Sequence, residues 1–90
     1  MNRYRITPDA LSASLDDGAV LLNLHTKRYY TLNETGTRIW ALLEQRASRD
    51  EIVATLVREY EVSEGDAYRA LQGLLDDLCA EHLLVTESSE

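Results

Sequence analysis

The chain has 90 residues, a length that favours one domain with a thin core. Its 44% apolar and 28% charged residues are typical of a soluble globular protein, and no apolar run approaches the roughly 18 residues of a membrane helix. The net charge of −7 argues against a nucleic-acid partner, because that affinity comes largely from clustered Lys and Arg.

The cysteine content and the amino-terminal sequence argue against a disulfide-bonded, zinc-binding or secreted protein. Cys79 is the single cysteine, so an internal disulfide is excluded, and one cysteine with two histidines offers no zinc site at a usual spacing. The opening "MNRYRITPDA" lacks the apolar segment of a signal peptide. We therefore expect a cytoplasmic protein without a metal or cofactor, whose partner is a protein or peptide.

The first third of the sequence predicts β-structure. Short runs rich in β-branched, aromatic and leucine residues are separated by "DDG" and "HTK", which suit tight connections. They predict a three-stranded antiparallel meander over Leu11–Leu15, Ala19–Leu24 and Arg28–Leu32. The continuous apolar stretch of the second run suits the central strand, so the first and third strands become edges. The run "NRYRI" near the terminus is a candidate for a short extension.

The remaining sequence predicts three helices. Asn33 can cap the first, through "ETGTRIWALLEQ", and Ser48 opens the second with the capping box "SRDE". Ser63 opens the third, which is expected to run to about Glu81. "HLLVT" is expected as a short strand or extended tail, and residues 86–90 are expected to fray. Strands followed by helices predict an α+β domain, an order compatible with a winged-helix arrangement.

The third helix carries more apolar residues than a core stripe requires. A stripe within about 60° of arc is formed by Ala67, Leu71, Leu74 and Leu78. The same face continues for about another 80° through Tyr68, Leu75 and Cys79. Something is expected to cover this second stripe.

The third strand likewise has side chains and an edge that the core does not account for. With Tyr30 and Leu32 facing inward, Tyr29 and Thr31 face outward, and no Pro, bulge-marking Gly or inward-pointing charge protects the edge. An unprotected edge beside an apolar helix face predicts a groove that binds a peptide by strand addition. A purely structural interpretation stays open. Tyr29 lying flat on the sheet, and a third helix that packs against two neighbouring elements, would give the same pattern.

A family resemblance favours the groove. The runs "DDGAVLLNLHTKRYYTLNETGTRIWALLEQ" and "IVATLVREYEVSEGDAYRALQGLLDDLCAEHLL" closely resemble the PqqD-like family, the stand-alone RiPP recognition element, over Asp16–Val85. The resemblance implies one domain over residues 1–90, with a winged helix-turn-helix fold in which a three-stranded antiparallel sheet precedes three helices. It also implies that the domain does no chemistry and binds the leader of a ribosomally made precursor peptide.

The resemblance further implies where the leader binds. The leader is expected to add as an antiparallel strand to the third strand and to pack against the third helix. The implied strand residues are Arg28, Tyr29, Tyr30, Thr31 and Leu32. The implied helix residues are Tyr68, Leu71, Gln72, Leu75, Asp76 and Cys79.

Within the family, a free-standing chain with "YYTLNETG" and "IWALL" is most similar to the lasso-peptide leader-binding proteins. Their partners are a cysteine peptidase that removes the leader and an ATP-dependent cyclase. Homologues of pyrroloquinoline quinone assembly deliver their peptide to a radical SAM enzyme instead, and this alternative stays open. Self-association through the open strand edge is also possible.

Other candidate sites have simpler interpretations. Cys79 on an apolar arc is expected to pack or line the groove rather than act as a nucleophile. Asp76 and Asp77 point about 100° apart and do not suit shared acid–base chemistry. Asp76, at the groove margin, is a candidate partner for a basic leader residue, whereas Asp77 is expected on a solvated face. A winged-helix DNA-binding protein is the main rival, but the third helix has Arg69 as its single basic residue.

Overall fold

The computed structural model of the chain describes residues 2–88. Within this range the sequence alternates from strands to helices and returns to a strand. The elements are β1 (Asn2–Ile6), β2 (Ala10–Leu15), β3 (Gly18–Asn23), β4 (Tyr29–Leu32), α1 (Glu34–Glu44), α2 (Arg49–Tyr60), α3 (Glu64–Ala80) and β5 (Leu84–Ser88). The three predicted strands correspond to β2, β3 and β4, and the mixed fold with three helices confirms the α+β prediction.

The strands of the meander pair as predicted. The order is β2–β3–β4, with both neighbours antiparallel to the central β3. Along β3 the inward-facing side chains of Ala19, Leu21 and Asn23 are buried, in the period-two alternation expected of a strand with one face on the core. A Cβ at Gly18 would lie 2.2 Å from the Leu32 carbonyl oxygen, so position 18 requires glycine.

A bulge shortens the two predicted strands that it joins. Lys27 has a positive φ of 64°, and its N–H donates to the Asn23 carbonyl oxygen at 2.8 Å, while the Asn23 N–H donates to the Arg28 carbonyl oxygen at 2.9 Å. Two residues thus oppose one, as in a β-bulge. As a result β3 ends at Asn23 rather than Leu24, and β4 begins at Tyr29 rather than Arg28.

The two ends of the chain form a second, two-stranded sheet. β1 and β5 are antiparallel, with Ile6 opposite Leu84. Beyond β1, the Thr7 N–H donates to the Leu83 carbonyl oxygen at 3.1 Å. "NRYRI" and "HLLVT" are therefore strands that pair with each other. β5 continues to Ser88, into the segment expected to fray, whose residues 89–90 lie outside the described residues.

Side-chain caps begin each helix where the sequence predicts. The Asn33 side chain accepts from the Gly36 N–H at 2.8 Å, and Ser63 accepts from the Asp66 N–H at 3.1 Å. At α2 the capping box is complete, because Ser48 accepts from the Glu51 N–H and the Glu51 carboxylate accepts from the Ser48 N–H. These bonds satisfy donors that a helix start leaves unpaired.

The core lies between the helices and the inner face of the three-stranded sheet. It contains Leu21 from β3, Ile39 from α1, Leu56 from α2 and Leu71 from α3, each almost fully buried. Full burial of such a side chain contributes about 1.5–3 kcal/mol. Trp40 packs into the same core. This core fixes α3 at a set distance from β4 and so defines the space between them.

Candidate peptide-binding groove

The outer edge of β4 carries backbone groups that are not used by β3. In an antiparallel ladder, successive residues direct their N–H and C=O alternately toward and away from a given neighbour. The Arg28 carbonyl bonds to β3, so Tyr30 and Leu32 also face β3, in agreement with the Leu32 oxygen beside Gly18. Tyr29 and Thr31 therefore direct their N–H and C=O groups outward.

No other strand covers this edge within residues 2–88, because β4 has β3 as its single neighbour there. The side chains alternate as predicted: Tyr30 is half-buried and Leu32 buried on the inner face, whereas Thr31 is exposed and Tyr29 is 72% exposed on the outer face. An incoming strand would meet two pairs of outward donors and acceptors. It would direct alternate side chains toward α3.

A groove of about 1100 Å³ separates β4 from α3. We call it the β4–α3 groove. From β4 it is lined by Tyr30, Thr31 and Leu32. From α3 it is lined by Asp66, Ala67, Arg69, Ala70, Gly73, Leu74 and Asp77. Ile39 and Leu56 contribute apolar surface at its base, so an extended segment with alternate apolar side chains fits this space chemically.

The predicted face of α3 requires a correction. Leu71 and Leu75 are both 0% exposed and belong to the core. Leu74, predicted in the core stripe, is instead half-buried and lines the groove. Leu74 and Leu75 thus exchange their predicted places, because the helix is rotated so that Leu75 points at the core and Leu74 toward the strand edge.

The predicted polar helix residues lie on the opposite flank of α3. Arg49 of α2 stacks on the Tyr68 ring, 4.7 Å from its centroid, and donates hydrogen bonds to the Tyr68 hydroxyl and the Gln72 amide oxygen. The Gln72 amide in turn donates to Asp76 at 2.9 Å. Tyr68, Gln72 and Asp76 therefore contact α2 or one another and do not line the groove. Cys79 is half-buried against the core.

Small side chains form the groove flank of α3, and this signal was missed. The positions that face β4 include Ala70 and Gly73, and a Cβ added at Gly73 would meet nothing within 4 Å. Such positions carry no large apolar side chain and so leave no mark in the hydrophobic pattern. Small residues at a spacing of three or four beside a strand edge are the feature that could have identified this flank.

Polar contacts join β4 to α3 at one end of the groove. The Tyr30 hydroxyl donates to the Asp77 carboxylate at 3.2 Å. Burial raises the pKa of Tyr30, and the hydrogen bond to Asp77 and the negative charge of Asp77 raise it further. Arg28, outside the groove lining, forms an ion pair with Glu81 at 3.0 Å. The Tyr30 phenol is therefore a stable donor at neutral pH that orients Asp77.

His25 has a local structural role. The backbone N–H of His25 donates to the Asn23 side chain within the exposed turn after β3. Within the described part of the chain, no group of three or more His, Cys, Asp or Glu side chains could hold a metal ion. Between residues 2 and 88, no helix combines the length and apolarity that crossing a membrane requires.

Comparisons with known proteins identify the family and support the fold. The family of Coenzyme PQQ synthesis protein D (PqqD) matches residues 18–84. A solved structure of TbiB1 in complex with the TbiA(beta) leader peptide is 36% identical, with a TM-score of 0.87 over 96% of this chain and 99% of that chain. A lasso peptide synthetase B1 complexed with the leader peptide is 30% identical, with a TM-score of 0.85 over 92% and 98%.

A comparison with curated proteins found no match. The family match nevertheless covers most of the chain, from the start of β3 to the start of β5. The two solved structures extend the similarity over nearly the whole fold. The chain belongs to the PqqD family.

Proposed function

We propose that this protein captures the leader of a ribosomally made precursor peptide and presents it to a leader peptidase in lasso-peptide biosynthesis. The observation that carries the proposal is the outward backbone of Tyr29 and Thr31 beside the groove flank of α3. The similarity to a B1 protein with a bound leader peptide supports it.

The leader adds to β4 as an antiparallel strand. Its backbone pairs with Tyr29 and Thr31, and every second side chain enters the β4–α3 groove, where Leu32 and Leu74 supply apolar contact. We also propose that the three helices and the sheet of β2, β3 and β4 form a winged helix-turn-helix.

The groove supports moderate affinity. Four ladder hydrogen bonds at about 0.5–1.5 kcal/mol each and two apolar side chains at about 1.5–3 kcal/mol each give roughly 5–12 kcal/mol before costs. Association and ordering of a flexible leader remove several kcal/mol. We expect dissociation constants in the micromolar to submicromolar range, which allow a carrier to release its peptide.

The chemistry belongs to the partners in this proposal. A cysteine peptidase removes the leader and an ATP-dependent cyclase closes the ring, while this chain only binds and presents. We place the complex in the cytoplasm, where precursor peptides are synthesised. Because the open edge of β4 would also pair with a second copy, saturating leader should reduce any self-association.

A second candidate follows from the family match itself. The PqqD family is described by coenzyme PQQ synthesis, so the partner could be a radical SAM enzyme acting on a precursor peptide. A DNA-binding role is weaker, because Arg69, the single basic residue of α3, is paired with Asp66. Reconstitution with each enzyme class separates the first two candidates: stimulation of leader removal supports the lasso assignment.

The experiment that tests the function is a titration with two leader peptides. One is the TbiA(beta) leader, and the other is the amino-terminal part of any short precursor encoded beside this protein. We expect the neighbouring leader to bind at micromolar or lower concentration and to shift the amide resonances of Thr31, Ala70 and Gly73. Binding that shifts the Tyr68 and Gln72 flank instead, or no binding by the neighbouring leader, would contradict the proposal.

A further inference from the structure

Among residues 2–88, Asp77 is an acid in the groove wall without a cationic partner. Of the other acids near the groove, Asp66 pairs with Arg69, Glu81 pairs with Arg28, and Asp17 lines the groove from the turn between β2 and β3. Among the described residues, Asp77 has no such ion pair, and its bond is to the neutral Tyr30 hydroxyl. A carboxylate has about four acceptor sites, so Asp77 retains acceptor capacity in the groove.

The register of β4 determines which leader residue would reach Asp77. Side chains directly opposite each other in an antiparallel pair lie on the same face, with Cβ atoms about 4.5–5.5 Å apart. The leader residue opposite Tyr30 therefore points to the inner face, where the Tyr30 hydroxyl contacts Asp77. A Lys or Arg side chain at that position is long enough to reach the same carboxylate.

The next leader position on the inner face, opposite Leu32, has apolar surroundings. The leader residue opposite Leu32 faces Leu32 and Leu74, and Ile39 lies at the base of the groove. In an antiparallel leader this residue comes two positions before the one opposite Tyr30. An apolar side chain fits there, since a charge facing Leu32, Leu74 and Ile39 would lose hydration.

We propose that the groove selects leaders with an apolar residue followed two positions later by Lys or Arg, and that Asp77 is the specificity-determining residue. This inference rests on the proposed leader-binding function. It also corrects the expected assignment of acids: Asp77 faces the groove, while Asp76 accepts a hydrogen bond from Gln72 on the opposite flank. Asp76 therefore provides a matched control one residue away.

The test is a selection of a displayed library of random 12-residue peptides on the wild-type protein, Asp77→Asn and Asp76→Asn. We expect the wild type and Asp76→Asn to enrich the apolar-x-basic pattern. Asp77→Asn should retain the apolar preference and lose the basic one. In titrations at low salt, replacing the selected Lys by Gln should weaken wild-type binding by about three- to tenfold and leave Asp77→Asn binding nearly unchanged.

The outcomes separate the inference from the function. Enriched peptides without a basic preference, or an equal loss of that preference in both variants, would overturn the role of Asp77 and leave leader capture standing. If the selection enriches no peptide that binds the groove, both the role of Asp77 and the proposed leader capture are overturned. The amide spectra of the three proteins should be superimposable outside the substituted positions, which shows that the fold is unchanged.

Discussion

The two flanks of α3 have similar polarity in the sequence and differ in what they contact. On one flank, Tyr68 and Gln72 are held by Arg49 of α2, so their polar groups already have partners. On the other, Ala70 and Gly73 face the outer edge of β4 across an open groove. An interaction surface on this helix is therefore marked by unused hydrogen-bonding capacity and by open space beside it, and less by the size of its side chains.

The largest expected effect separates the neighbours Leu74 and Leu75. Leu75→Ala should lower the free energy of unfolding by about 2–5 kcal/mol, because it removes a fully buried side chain and leaves a cavity. Leu74→Ala should cost less stability and weaken leader binding, since Leu74 lines the groove. Denaturant unfolding and leader titration of both variants measure this difference. Equal stability losses would contradict the rotation of α3 described above.

Filling the groove should block binding while preserving the fold. Gly73→Leu introduces a side chain where the groove flank has space, and we expect leader affinity to fall on the order of 30-fold, or about 2 kcal/mol. Replacing a glycine inside a helix should also raise stability, by about 0.5–1 kcal/mol.

Gly65→Leu is the matched control for this substitution. Gly65 lies in the first turn of the same helix, has open space around it and is outside the groove lining. It should retain leader affinity within about twofold. Comparable binding losses in the two variants would show that the effect comes from the helix as a whole and not from the groove.

The strand edge can be tested by removing one outward donor. Thr31→Pro deletes an N–H that points away from β3, so the sheet loses no internal bond, whereas an added strand loses one. We expect at least about a tenfold loss of leader affinity, from the missing hydrogen bond and the bulk of the ring. Thr31→Val keeps the N–H and should bind like the wild type. A folded Thr31→Pro variant with unchanged affinity would exclude pairing at this position.

Substitutions on the α3 flank that faces away from the groove should hardly change leader affinity. Tyr68→Ala removes the ring on which Arg49 stacks, and a partly exposed contact of this kind is worth about 0.5–1 kcal/mol of stability. Leader affinity should change by less than about twofold. Titration under the conditions used for Gly73→Leu provides the comparison. A loss of leader affinity as large as that of Gly73→Leu would show that the leader binds the flank of α3 that carries Tyr68.

The smallest effect concerns acid stability. The Ser48 backbone N–H, and then the Ser48 hydroxyl, lower the pKa of Glu51 in the capping box. Because the folded-state pKa lies below the unfolded one, this stabilisation is present above the unfolded pKa and is lost as the pH falls through the folded pKa. Glu51→Gln should make the acid limb of the unfolding curve slightly less steep.

Much of this architecture was predictable because its signals are local. Alternation along β3 and the caps Asn33, Ser48 and Ser63 determine where elements begin, and they act within a few residues. The bulge at Lys27 was missed, since a positive φ at lysine has no distinctive residue type. Its effect is to set which residues of β4 face outward.

The candidate site was predicted in part for a physical reason. The exposed edge of β4 follows from alternation within one strand, so Tyr29 and Thr31 were assigned correctly to the outer face. The rotation of α3 depends on how the helix packs against α2 and the sheet, which is a long-range property. The spacing of its apolar residues alone is compatible with either Leu74 or Leu75 pointing to the core, and packing places Leu75 there.

Hydrogen exchange of the four β4 amides tests the central claim most directly. In the free protein the Tyr30 and Leu32 amides should be protected by β3, while the Tyr29 and Thr31 amides should exchange quickly. Saturation with the leader of the precursor encoded beside this protein should protect Tyr29 and Thr31 and leave Tyr30 and Leu32 unchanged. If Tyr29 and Thr31 are protected before the leader is added, or remain unprotected in the complex, a strand does not add to this edge.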